Sequence, residues 1–258
     1  MCLIAWNWQP DSPTPLIVMS NRDEYYARPA RTLRQWPAAA NGAKIVAGQD
    51  MQAGGTWMGI NIHGRFAAIT NYRSAEPQRT DVASRGELVT SFLQSDLDAK
   101  DYLQRLAEQA HTYNPFNLVV FDGNQLMGFE SRQARSIALE PGIGALSNAD
   151  FETPWPKLTR IKEKLKVQVG FNTTDTQSLI RLLHDTTVAS DEALPNTGIP
   201  HKTERALSAT FIKMPGYGTR ACSVVHLHHN HTEFYEEVFD ESGLIGTSIY
   251  QFSRKLMV

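Results

Sequence analysis

The chain has 258 residues, of which 41% are hydrophobic and 20% charged, with a formal net charge of −2. That length suits one domain with a sizeable core, and the near-neutral balance excludes a general polyanion binder, so no nucleic acid is expected as a partner. Cysteines at 2 and 222 alone make no disulfide framework, no apolar run reaches a membrane span, and the first residues lack the regions of a secretory signal; a reducing, cytoplasmic setting is expected.

The first predicted elements are two apolar, β-prone runs, 2–8 and 16–24, separated by Gln9-Pro10-Asp11-Ser12-Pro13-Thr14-Pro15. The prolines remove backbone donors and fix φ, so this connection is a turn and the runs form an antiparallel hairpin. Pairing returns 21–24 to the start of the chain and sets the Cys2 thiol against Arg22 and Asp23. A small residue at position two lets the initiator Met be removed. An N-terminal Cys then carries its own base, an α-amine of pKa about 7.7–8.0 beside a thiol of about 8.5. Asp23 would orient the α-ammonium and Arg22 would favour the thiolate. The alternative is that Cys2 is a small apolar residue opening a buried strand.

Residues 25–43 mix Arg, Pro and Ala and read as an irregular surface connection, with arginines 28, 31 and 34 on a solvated face. Short strands follow at 44–48, 57–60 and 65–71, with Gly54-Gly55-Thr56 as a flexible turn. None of the glycines builds a phosphate loop, and no cofactor is expected. Ser84-Arg85-Gly86-Glu87 fits a capping box opening a helix. A second helix covers 98–110. Strands 117–122 and 125–130 make a hairpin about Asp122-Gly123, and 144–148 is a short strand. Thr153 as N-cap and Pro154 at the first turn start a further helix, followed by one over 176–187. Residues 190–202 read as loop. The last β region begins at 211–212, continues as a hairpin of 219–228 and 232–239, and ends in a short strand at 246–252. Strands, two helices, strands, two helices, strands is an α+β order: antiparallel sheets with helices as outer layers, in one domain over 1–258.

The tract His226-Leu227-His228-His229-Asn230-His231 sets His226 and His228 on one face of a strand. No Cys or carboxylate completes a known ligand spacing, so it reads as a polar hairpin tip and no metal is expected. Cys222 reads as a buried strand cysteine.

Asn21-Arg22-Asp23-Glu24 behind a Met-Cys start resembles the NRDE family, also called the transport and Golgi organisation protein 2 family. The resemblance extends through Gly54-Gly55-Thr56-Trp57, Thr70-Asn71-Tyr72-Arg73, Leu146-Ser147-Asn148 and Tyr217-Gly218-Thr219-Arg220. More distantly, the pattern is similar to the N-terminal-nucleophile hydrolases of the choloylglycine type. The resemblance implies a four-layer αββα sandwich of two antiparallel sheets between helix layers. It also implies Cys2 as nucleophile, Asp23 as the acid that holds its amine, Asn71 as an oxyanion-hole donor and Asn148 as a second active-site Asn. Arg22 and Arg220 are the candidate arginines. Arg22 stands one residue before Asp23, whereas the bile-salt enzymes carry theirs three before, where Ser20 occurs here. The expected activity is amidohydrolysis of a non-peptide C–N bond through a Cys2 acyl-enzyme, with a small-molecule amide as partner. The alternative is a non-enzymatic carrier or trafficking factor for a hydrophobic ligand such as haem or an acyl lipid.

Overall fold

The hairpin that opens the chain sits inside the larger architecture of a computed structural model, which describes residues 2–39, 42–151 and 153–253. Strand β1 (Cys2–Trp8) pairs antiparallel with β2 (Leu16–Tyr25), with Cys2 opposite Arg22 and Trp8 opposite Leu16. Both faces of β1 are buried, which is why it reads as one continuous apolar run. Alternation sends Ile4, Trp6 and Trp8 into one core and Leu3 and Ala5 into another.

One sheet takes the order β10-β1-β2-β12-β13-β14, from β10 (Gly142–Leu146), β12 (Tyr217–Leu227), β13 (His231–Asp240) and β14 (Gly243–Ser253), with β11 (Lys213–Met214) added on β12. The other runs in chain order: β3 (Ala30–Gln35), β4 (Ile45–Asp50), β5 (Met58–Asn61), β6 (Phe66–Asn71), β7 (Phe116–Phe121), β8 (Leu126–Glu130) and β9 (Arg135–Ala138). All named pairings are antiparallel. Ile4, Trp6 and Val18 meet Phe66, Val119 and Phe121 between the sheets. Helices α1 (Gly86–Gln94) and α2 (Ala99–Gln109) bury Leu88, Phe92 and Leu103 on the outside of the second sheet. Helices α3 (Pro156–Gly170) and α4 (Thr176–Leu183) bury Leu158, Ile161 and Leu179 on the outside of the first. The result is the α+β, αββα arrangement expected. Gly144 lies opposite Trp6 because a Cβ there would overlap the indole ring.

Several boundaries differ from expectation for physical reasons. The stretch read as irregular contains β3, an edge strand that buries only Leu33 of its six residues and bulges between Arg31 and Arg34. β9 is likewise a polar edge strand, so neither shows apolar alternation. Helix α5 (His201–Leu207) begins at the last two residues of the supposed loop, runs on beyond it, and has no side-chain cap to announce it. The capping box does not form: α1 has Arg85 at its cap with no side-chain bond, and Glu87 instead accepts from the Tyr113 hydroxyl at 2.6 Å. Of the two prolines flanking Trp155, Pro156 starts α3, because the Thr153 hydroxyl donates back to the Asp150 carbonyl at 2.8 Å. β14 is longer than expected, an edge strand of alternating exposure.

One buried carboxylate spans the sheets. Glu236 of β13 accepts the Leu33 N–H of β3 at 2.7 Å and is 1% exposed, and burial pushes its pKa up to about 7. The folded pKa exceeds the unfolded one, so the protonated carboxyl stabilises the fold below about pH 4.5, and that contribution is lost as pH rises through about 7. Glu236→Gln is expected to raise stability by on the order of 1–3 kcal/mol at pH 8 and to change it little at pH 4.5, read from denaturant midpoints at the two pH values.

Candidate active site

The first strand begins where the two sheets are tied together. β10 of one sheet ends into Ser147 and Asn148, and β6 of the other ends at Asn71. The Thr70 hydroxyl donates to the Ser147 carbonyl at 2.5 Å, the Asn148 amide to the Asn71 carbonyl at 2.7 Å, and the Arg73 N–H to the Asn148 carbonyl at 2.7 Å. The Ser147 hydroxyl also donates to the Cys2 carbonyl at 3.1 Å. Cys2 and Asn71, far apart in sequence, are thereby fixed at one point. Asn148 is fully buried and spends its amide on the Asn71 backbone. It positions Asn71 and does not line the cavity described next.

Cys2 is 8% exposed and lines a cavity of about 130 Å3 with Arg22, Trp57, Asn71 and Arg85. Asn71 is half-buried at the end of β6, in the wall of this cavity. Burial pushes the Cys2 thiol up, Asp23 pushes the same way, and Arg22 pulls it down. The Arg22 guanidinium is held on two sides: it lies 4.5 Å over the Trp57 ring and donates to the Asp50 carboxylate at 3.2 Å. Asp50 also accepts from Arg28 at 2.6 Å and from the N–H groups of Gln52 and Ala53. Burial raises the Asp50 pKa, but the Arg28 bond and the Ala53 amide hold it below the usual carboxylate range. Arg28, read from sequence as a solvated residue, therefore anchors the cavity wall. So does the turn 54–56, read as flexible: Gly55 packs on the start of α1 so closely that a Cβ would meet the Gly86 carbonyl carbon at 2.5 Å.

Behind Cys2, on the helix side of the sheet, Asp23 is buried and accepts from the Thr219 hydroxyl at 2.7 Å. Burial pushes its carboxyl above the usual range, against the charge of Lys157. Lys157, at the start of α3, is 1% exposed, with burial bringing its pKa down to about 8 and the Asp23 charge opposing this. Its ammonium has no hydrogen-bond partner among the described residues. Beside it, Arg73 pairs with Glu204 at 2.7 Å and lies 4.4 Å over the Trp155 ring.

Arg220 is placed elsewhere. The β2–β12 register shifts between Thr219 and Ala221, so Arg220 is the extra residue of a bulge. It donates to the carbonyls of Tyr25 and Tyr26 at 2.9 Å each, Arg28 at 3.2 Å and Phe239 at 2.9 Å. It clamps the chain that carries Arg28 and does not line the cavity. The hairpin thus brings Cys2, Arg22 and Asp23 together, the sheet junction adds Asn71, Asn148 supports Asn71 from behind, and Arg220 stands apart.

Sequence reasoning missed Asp50, Arg85 and Lys157. Arg85 is hidden inside the apparent capping box; it lines the cavity, donates to the Pro115 carbonyl at 3.1 Å, and is drawn down to about pKa 10 by burial. Lys157 follows the Trp155-Pro156 helix start, and a lysine at a helix start, where the dipole disfavours it, is the one signal that was available. Among the described residues, no group of three His, Cys, Asp or Glu ligand atoms converges on this cavity.

The Transport and Golgi organisation 2 family model matches residues 1–241. The Transport and Golgi organization 2 homolog of Mus musculus is 31% identical over 277 residues, covering 98% of this chain and 99% of its own. The Homo sapiens homolog is 35% identical over 247 residues, covering 87% and 88%. The chain belongs to the Transport and Golgi organisation 2 family. Among solved structures, the C2A mutant of the conjugated bile acid hydrolase from Clostridium perfringens matches with a TM-score of 0.58 at 9% identity, over 100% of this chain and 99% of its own. That likeness identifies the N-terminal-nucleophile hydrolase fold.

The packing of Gly55 on α1 is testable. Gly55→Ala is expected to cost about 1–3 kcal/mol, seen as a lower urea midpoint at unchanged m-value.

Proposed function

We propose that this family member is an amidohydrolase that cleaves a non-peptide C–N bond through Cys2 once Met1 has been removed. The observation that carries the reading is the convergence of Cys2, Arg22 and Asn71 on one small cavity. The α-amine of Cys2 takes the thiol proton, and the sulfur attacks the amide carbonyl carbon. Asn71 donates to the oxyanion of the tetrahedral intermediate. Collapse breaks the C–N bond, and the α-ammonium returns its proton to the leaving amine. Water, deprotonated by the same α-amine, then attacks the thioester and releases a carboxylic acid and the free thiol.

The surroundings support these roles. A buried thiol with a raised pKa is a poor nucleophile until a base is beside it. Asp23 supplies the charge that holds an α-ammonium, and Arg22, fixed by Trp57 and Asp50, supplies the charge that favours a thiolate. The structurally similar hydrolase bears alanine in place of a cysteine at its own position two. A volume of about 130 Å3 is well below the roughly 300–1,000 Å3 of an ordinary ligand pocket. It suits the reacting end of a substrate and counts against a haem or lipid carrier. Both cysteines are free thiols, as a reducing cytoplasmic setting would keep them, and no helix among the described residues is long and apolar enough to cross a membrane.

Protein made with its natural N-terminus is expected to lack Met1 by intact mass and to turn over at least one member of an acyl-amide panel. Cys2→Ala should abolish turnover and the acyl-enzyme mass shift, and Asn71→Ala should lower kcat about 10²–10³-fold. Complete retention of Met1, or undiminished turnover in Cys2→Ala, would overturn the mechanism.

A further inference from the structure

The far end of the same hairpin carries a second constellation. Trp8 pairs with Leu16 six positions along from the Cys2–Arg22 pair, which at about 3.3 Å per residue is about 20 Å away. There β13 opens with His231 and Glu233, two residues apart and so on one face, and His228 lies across the tight turn at the end of β12. One ligand atom from each of His228, His231 and Glu233 falls within 4.8 Å of the others. The three line a cavity of about 700 Å3, with Asp175 and Thr174 in its wall. Sequence spacing offered no carboxylate to the histidine tract; the hairpin supplies one.

We propose that His228, His231 and Glu233 bind a divalent transition-metal ion, zinc being the ion this donor set suits. Two imidazoles and one carboxylate satisfy three positions of tetrahedral zinc and leave the fourth, for water or a ligand, towards the cavity. Both rings are oriented through the nitrogen that does not bind metal. His228 Nδ1 shares a hydrogen bond with the Thr14 hydroxyl at 2.8 Å, and His231 Nδ1 with the Asn230 side-chain oxygen at 2.7 Å. Such outer hydrogen bonds fix the ring and present Nε2. His231 Nε2 already lies 3.6 Å from the Glu233 carboxylate, close to the spacing of about 3.4 Å that zinc-bound nitrogen and oxygen adopt at bond lengths near 2.0–2.1 Å. The His228 and His231 rings stack with centroids 4.0 Å apart, and as they stand one donor atom of each falls within 4.8 Å of the other and of the Glu233 carboxylate. His226 stacks next in the row at 6.0 Å. Its Nε2 is 2.7 Å from the Thr174 carbonyl, so Nε2 carries the proton, and its Nδ1 lone pair is buried without a partner among the described residues.

The experiment is titration of the full chain, without an affinity tag and cleared of metal by chelator, with ZnCl2 in a non-coordinating buffer. The expected result is one zinc per chain and a Tm rise of about 5 °C or more at a hundredfold excess over Kd. His231→Ala and Glu233→Gln, both at partly exposed positions and checked for native circular dichroism, should each weaken binding tenfold or more. Cys2→Ala should bind as the parent does, separating this site from the proposed nucleophile. Absence of stoichiometric zinc, equal affinity in the His231 and Glu233 variants, or loss of zinc in Cys2→Ala would each overturn the proposal.

Discussion

The hydrogen bonds that join Ser147 and Asn148 of one sheet to Thr70 and Asn71 of the other are the constraint on which the site depends. The apolar core between the sheets supplies most of the attraction but is non-directional. A few buried polar bonds, each costly to leave unmade, fix how the sheets sit against each other. Because the Ser147 hydroxyl also reaches the Cys2 carbonyl, the same junction that sets the sheets sets the start of β1. Cys2 and Asn71 come together through backbone held at a joint, with no long side chain spanning between them.

Around that joint the charges are divided by the sheet. On the inner side Arg22 is pinned between Trp57 and Asp50, and Arg28 shares the same carboxylate. On the helix side Asp23, Lys157, Arg73 and Glu204 form a buried ionic layer. Burying charge is expensive unless it is paired, so this much of it behind a single thiol is an investment that packing alone does not require. The division follows from strand alternation: Arg22 and Asp23 are consecutive in β2 and so point to opposite faces. One residue sets the field in the cavity and its neighbour sets the field behind it.

Much of this was legible beforehand. The Pro-rich connection between two apolar runs determined the first hairpin, and with it the meeting of Cys2, Arg22 and Asp23, since register follows from a hairpin's length and pattern. The helix pairs over both sheets showed in their apolar periodicity. Edge strands β3 and β9 did not show, because a strand with one neighbour and a wet face carries no apolar signal. Arg220 stood as a candidate cation within a shared motif, yet a one-residue bulge turned it to the carbonyls of 25, 26 and 28. The histidine tract looked short of a carboxylate until the β12–β13 hairpin set Glu233 beside it.

The sequence by itself determined what is local: the elements, the first hairpin and the residues opposed within it. Turn chemistry and side-chain periodicity act over a few residues and need no distant partner. Only the tertiary structure decided which distant residues share a site. Asn71 reaches Cys2 through the sheet junction, Lys157 reaches Asp23 through the docking of α3, and Asp50 reaches Arg22 because the two sheets face each other. Those meetings depend on sheet packing and on bulges whose positions leave no periodic trace in the chain.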